Sequence, residues 1–254
     1  MTGSNEFAAL RRLWRLPVES RLGRPADLDV DRVVAAALVL ADRDGLGGVT
    51  LPKVADSLGV TKMALYRYVG SKDELYTLLA DAALAPVPES GLSTDWRTAL
   101  RAWAYANREI FRRHPWLARV PTPGPPAGPC AIGWMDLALQ ALRDTALDWS
   151  SKVGVITLVS GWVRESATLA QDFAVGRGDR RQSEVEQDYG RALAELVAPR
   201  RFPEAAKLFA SSAFGPDPAA GDDVDFTFGL EIVLDGIAAR IERSAEAQRG
   251  RTID

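Results

Sequence analysis

Between Thr50 and Val69 the chain has room for two helices of about two turns each and almost nothing to separate them. Thr50 and Thr61 are hydroxyl residues placed to accept the first free N–H groups of the two helices. Pro52 falls in a first turn, where a missing N–H costs little. Gly59 lies between, so the helices must cross steeply over a tight turn. The crossing needs a small residue in the first helix, Ala55, and an apolar one in the second that packs back, Leu65. Val54, Leu58 and Val60 complete a small core. That leaves Lys62, Met63, Tyr66, Arg67 and Tyr68 to face outward.

The flanking segments are also helical. A helix starting near Asp29 carries Val30, Val33, Val34, Ala37, Leu38 and Ala41 on one face and stops at Gly45. Ser71 to Glu74 reads as a capping box that opens a helix with Leu75, Leu78, Leu79 and Ala82 inward. Pro86 to Ser93 is a linker. Thr94 then caps a helix to Arg113, and His114-Pro115 ends it. Five prolines stiffen Pro121 to Pro129. Helices are expected over 131–145, 150–173, 183–197, 203–210 and 224–247. The β-branched residues fall at helical spacing, and no hairpin signal appears. The expected class is all-α, with about nine or ten helices in a small head and a larger body. The expected divisions are a basic arm over 1–28, a head over 29–85 and a body over 94–248.

Composition narrows the function. The net charge is −3, which argues weakly against nucleic acid, but the distribution matters more. Arg11, Arg12, Arg15, Arg21 and Arg24 face only Glu19 between Arg11 and Arg24, so positive charge is concentrated near the N-terminus. Cys130 is the single cysteine, which suits a reducing cytoplasm. The longest apolar run, Val153 to Val163, falls far short of the roughly 20 residues that span a bilayer. A cytoplasmic protein without a membrane span is expected. No Gly-x-Ser-x-Gly turn or phosphate-cradling loop occurs, and a triad would have to recruit His114, the single histidine. No enzyme activity, cofactor or metal is therefore expected.

Two tyrosines and two cations on one short helix suit a nucleic-acid groove. Hydroxyls and lysines hold phosphates, and arginine can fork to a guanine edge. Spacing alone also allows a short polar helix in a bundle. Residues 29–83, above all GVTLPKVADSLGVTKMALYRYVGSKDELYTLLADAAL, resemble the DNA-binding domain of the tetracycline-repressor (TetR) family. The Leu-Tyr-x-Tyr-(apolar)-x-x-Lys run from Leu65 to Lys72 is the specific part. The resemblance implies that the helix opened by Thr61 enters a major groove. It implies that Tyr66, Tyr68 and Lys72 hold phosphates, that Lys62, Met63 and Arg67 read bases, and that Thr50 and Lys53 touch the backbone nearby. Tyr68 replaces a histidine seen in some members, and Arg67 stands where others have an aromatic. Arg21 and Arg24 could reach a minor groove or form a solvated basic tail.

The body resembles the same family's regulatory domain. The resemblance implies repression by a homodimer on a palindromic operator, released by a small-molecule effector. The helices at Ser150–Phe173 and Val224–Ala247 would pair with their mates, or else serve as ordinary core. In the last helix Phe226, Leu230, Val233, Ile237 and Ile241 form a stripe, with Gly229 and Gly236 beside it. Six of the seven tryptophans lie between Trp96 and Trp162, and aromatic side chains can line a cavity or fill a core. Trp103, Asn107, Trp134 and Trp162 are the candidate effector-pocket residues, with Arg164 the cation nearest to them. His114 sits at a helix end, where histidine meets carbonyls and the helix dipole.

Overall fold

The computed structural model describes residues 2–16, 28–88, 93–122, 124–215 and 222–251. The arm residues Arg21 and Arg24 lie outside these. Among the described residues there are eleven α-helices, three short 3-10 turns and no strand. The helices are α1 (Thr2–Leu13), α2 (Val30–Asp44), α3 (Leu51–Ser57), α4 (Lys62–Val69), α5 (Lys72–Ala83), α6 (Trp96–Arg113), α7 (Pro129–Ala141), α8 (Trp149–Arg177), α9 (Gln182–Leu196), α10 (Pro203–Ala210) and α11 (Asp222–Arg251). None is long and apolar enough to cross a membrane, among the described residues.

The head is built from local caps. Asp29 accepts from the Arg32 N–H, Thr50 from Lys53, Thr61 from Ala64 and Ser71 from Glu74, each opening one helix. Gly45, Gly59 and Gly70 all have positive φ, the backbone state that lets each preceding helix stop sharply. Val33, Val54, Leu65, Val69, Leu75 and Leu79 are fully buried between α2, α3, α4 and α5. The capping box of α5 is only half made. The Ser71 N–H donates to the Val69 carbonyl, while the Glu74 carboxylate pairs with Arg12 of α1. The first twelve or so residues of the expected arm are thus a helix packed on α5, not a free tail.

The body centres on α6, α7, α8 and α11. Its first helix is capped by Asp95, whose carboxylate accepts from the Thr98 N–H at 2.8 Å, one residue beyond the expected Thr94. Asp148 caps α8, which runs four residues past Phe173 to Arg177. Arg97 and Arg101 of α6 both pair with Glu231 of α11 and hold its carboxyl down at about 2.

The last helix has two apolar faces. Phe226, Leu230 and Ile237 do form a stripe, but they are buried in this chain's own core together with Leu234. Gly229 faces the same way. A Cβ there would meet the Trp162 ring at 2.1 Å. The outward face instead carries Phe228, 70% exposed, and Ile232, 56% exposed, with Gly236 one turn further on. On α8 the open face carries Gly154, Leu158 and Gly161.

Candidate functional site

The first candidate site is the surface of α4. Leu65 and Val69 anchor it inward, so Lys62, Met63, Tyr66 and Arg67 project to solvent, with Met63 75% exposed. A methionine that exposed has no packing reason to be there. Lys62 Nζ lies 5.8 Å from the Tyr66 ring centroid, and Lys72 Nζ lies 5.1 Å from that of Tyr76. Tyr68 is half-buried against the core and offers only an edge. Thr50 and Thr61 spend their hydroxyls on the caps of α3 and α4. Lys53 is exposed and lies 3.9 Å from Asp44. The fold therefore gathers the predicted set on α3, α4 and the start of α5.

The second is a cavity of about 790 Å³. Its walls come from α1, α5, the proline-rich residues 121–122 and 124–128, the turn after α6, and Arg164 of α8. Most of the lining is apolar: Leu10, Leu13, Leu78, Leu84, Phe111 and Val120 are among it. Arg164 donates to Thr122 Oγ1 at 2.5 Å, to the Ala118 carbonyl at 2.9 Å and to the Val120 carbonyl. Burial pulls its guanidinium below the usual arginine range.

Asp81 also lines the cavity and is only 9% exposed. Its carboxylate, carried on α5, accepts from the backbone N–H groups of Ala131 at 2.9 Å and Cys130 at 3.3 Å. It thereby caps α7 from another helix. The residue in α7's own cap position, Gly128, has no side chain to do so, and a Cβ there would meet Asp81 Oδ1 at 2.1 Å. Burial, and then the Asp81 carboxylate, push the Cys130 thiol up.

The four expected pocket residues lie elsewhere. Trp103 donates to the Trp134 carbonyl at 2.8 Å, Trp134 to the Leu84 carbonyl at 2.8 Å, and Trp162 to the Phe226 carbonyl at 3.2 Å. Asn107 donates to the Trp103 carbonyl at 3.0 Å. None of the four lines the cavity, and the three indole N–H groups and the Asn107 amide N–H are bonded inside the packed body. Of the body residues that the sequence points to, Arg164 alone lies on it. Asp81 was missed, although a carboxylate amid Leu78, Leu79 and Ala82 is a visible break in an apolar face. His114 meets a carboxylate and not the expected carbonyls. Its Nδ1 lies 2.7 Å from Asp42 of α2, which also accepts from Trp116 Nε1 at 2.7 Å.

Residues 33–79 match the family model described as bacterial regulatory proteins, tetR family, and residues 87–241 match that of the tetracyclin repressor-like C-terminal domain. The chain is 35% identical over 245 residues to the HTH-type transcriptional repressor DrrR1 of Streptomyces coeruleorubidus, covering 93% of this chain and 87% of that protein. It is 28% identical over 229 residues to the class A tetracycline repressor from transposon 1721 of Escherichia coli, covering 87% and 97%. The structure of ActR from Streptomyces coelicolor in complex with actinorhodin superposes with a TM-score of 0.71 at 26% identity, covering 85% of this chain and 99% of that one.

Proposed function

The chain belongs to the tetracycline-repressor family of ligand-responsive DNA-binding repressors, and on that premise we propose that it acts as a homodimer on a palindromic operator in the cytoplasm. The observation that carries this reading is a capped α4 with Lys62, Met63, Tyr66 and Arg67 outward, joined through α5 to a wall of the cavity. In it, Lys62, Met63 and Arg67 read base edges. Tyr66, Tyr68 and Lys72 hold phosphates, helped by Thr50, Lys53 and Thr61 at the adjoining helix starts.

A two-fold dimer places two such helices on half-sites about 34–36 Å apart or somewhat more. The face that supports a dimer is Gly154, Leu158 and Gly161 of α8 with Phe228, Ile232 and Gly236 of α11. It is apolar and open to solvent among the described residues, and its glycines let helix axes approach closely.

The effector site is the cavity, whose volume is within the range of about 300–1,000 Å³ usual for small-molecule sites. Its ligand has a mainly apolar frame and an oxygen function for Arg164. We read it as a site for binding, with Asp81 committed to capping α7 and Glu74 to Arg12. A ligand preferring the DNA-incompetent arrangement of α5 lowers operator affinity, and a coupling of about 1–3 kcal/mol does so roughly 5–150-fold.

The test is fluorescence anisotropy on DNA from upstream of the chain's own gene, with and without a panel of apolar aromatic ligands. Actinorhodin, which ActR binds in its solved complex, comes first. Affinity for that DNA should fall with Arg67→Ala and with a ligand that the cavity binds. Binding to DNA that ignores both Arg67→Ala and Lys62→Ala would refute the α4 assignment.

A further inference from the structure

The helix α1 lies outside both family models, which begin at residues 33 and 87. It is nonetheless tied into the fold at several points. Leu13 is buried in the core, and Arg12 pairs with Glu74 on α5. Just beyond the helix, Trp14 Nε1 donates to the Ala127 carbonyl at 2.8 Å, and Arg15 Nε donates to Asp31 Oδ1 on α2 at 2.6 Å. These anchors reach α5 and the proline-rich segment, which flank the cavity, and α2, the first helix of the head.

Glu6, Ala9, Leu10 and Leu13 all line the cavity. Their spacing is that of one helical face. Leu78 and Asp81 of α5 line the same cavity. Leu10 remains 41% exposed there, an apolar side chain open to a concave surface that a ligand would cover. A helix held by two ion pairs and an indole hydrogen bond, with its apolar face turned to a cavity, is a wall.

We propose that α1 is part of the effector site, and that the apolar frame of the effector packs against Ala9 and Leu10 of α1. This rests on the reading of the cavity as the effector site. The effector class is a small molecule with a mainly apolar body, because most of the lining is apolar. Its arrival is felt at Glu74, which joins the wall to the first turn of α5, two residues from Lys72.

The probe is N-phenyl-1-naphthylamine, neutral and fluorescent when buried. It is titrated against the full chain, Leu10→Asp, a variant lacking residues 2–13, and Ala80→Phe, which fills the cavity from α5. Ala80→Phe should abolish binding, and Leu10→Asp and the truncation should each weaken it at least tenfold. In parallel, Ala80→Cys in a Cys130→Ser background is labelled with a neutral aromatic maleimide. Removing residues 2–13 should raise the labelling rate at least tenfold. If Ala80→Phe blocks the probe while Leu10→Asp and the truncation leave its affinity unchanged, the wall proposal falls and the effector cavity stands. If the probe binds but ignores Ala80→Phe, the cavity reading itself falls, and the proposal with it. Where the probe finds no site, the thiol rates decide: a tenfold rise supports the wall, and equal rates overturn it. Leu10→Asp preserves the test if the truncated chain does not fold.

Discussion

Replacing Asp81 tests whether one carboxylate ties the head to the body. It caps α7 from α5 with two backbone N–H groups, at 2.9 and 3.3 Å, and is nearly buried. Losing an ordinary N-cap costs about 0.5–2 kcal/mol. Hydrogen bonds to a charged group contribute about 1.5–3 kcal/mol. A negative charge at a partly buried helix N-terminus adds up to about 2 kcal/mol. These effects overlap, so Asp81→Ala should cost about 3 kcal/mol, or about 6–12 °C in Tm for a chain of this size. Asp81→Asn keeps one acceptor for Ala131 and should cost about 1 kcal/mol. The sharper measurement is a cycle with Gly128→Ala. In the wild-type background the added methyl collides with the Asp81 carboxylate, and in Asp81→Ala that obstruction is gone. The two changes should therefore couple by at least about 1 kcal/mol, with the double variant better than additive. Urea unfolding followed by circular dichroism, at fixed protomer concentration, reads all four corners. Additive costs, or an Asp81→Ala loss below about 0.5 kcal/mol, would refute the bridging role.

Further outcomes follow from the rest of the structure. Leu158→Glu or Ile232→Glu should give a folded monomer by sedimentation, whereas Leu230→Glu should unfold the body, since Leu230 is fully buried and Ile232 is not. A folded monomer from Leu230→Glu would reverse the assignment of the two faces. Lys72→Ala should weaken all DNA sequences alike and reduce the salt slope by about 0.9 for each phosphate it no longer neutralises, while Arg67→Ala should relax preference at particular bases at about 1–3 kcal/mol for each base pairing removed. Competition binding at several salt concentrations separates the two. Glu231 is held at about 2 by Arg101 and Arg97, below its ordinary value of 4.5. A depressed carboxyl stabilises the folded state above the unfolded value and loses that contribution as pH falls toward the folded one. Glu231→Gln should therefore flatten the decline in stability between pH 4.5 and 2, seen in acid titrations by circular dichroism.

The head was legible in the sequence because its information is local. Asp29, Thr50 and Thr61 cap helices a few residues away, and Gly45, Gly59 and Gly70 stop them, so neighbouring residues alone decide the geometry. The cavity was not legible, because its walls come from residues as far apart as Leu10 and Arg164. The tryptophans lie off the cavity for a chemical reason. An indole carries one N–H and a large apolar surface, and a packed helical body can satisfy both without a ligand. The last helix was ambiguous in sequence because both of its faces are apolar. Periodicity shows that Leu230 and Ile232 point in different directions, but it cannot say which one points inward. The helix at α1 was hidden for another reason: Arg11, Arg12 and Arg15 read as a charge run, while the acidic partners Glu74 and Asp31 come from elsewhere in the chain.

Gly229 beneath the Trp162 ring fixes how α8 and α11 lie against each other, since the indole occupies the space that any larger residue would need. The two helices then move as one plate. Whatever rests on the far side of that plate inherits its pitch, with Gly154 and Gly236 as fixed marks on it. A methyl group added at Gly229 would be small, internal and out of sight of any partner. It would still alter the angle at which two copies could meet, and so the distance at which they could read DNA.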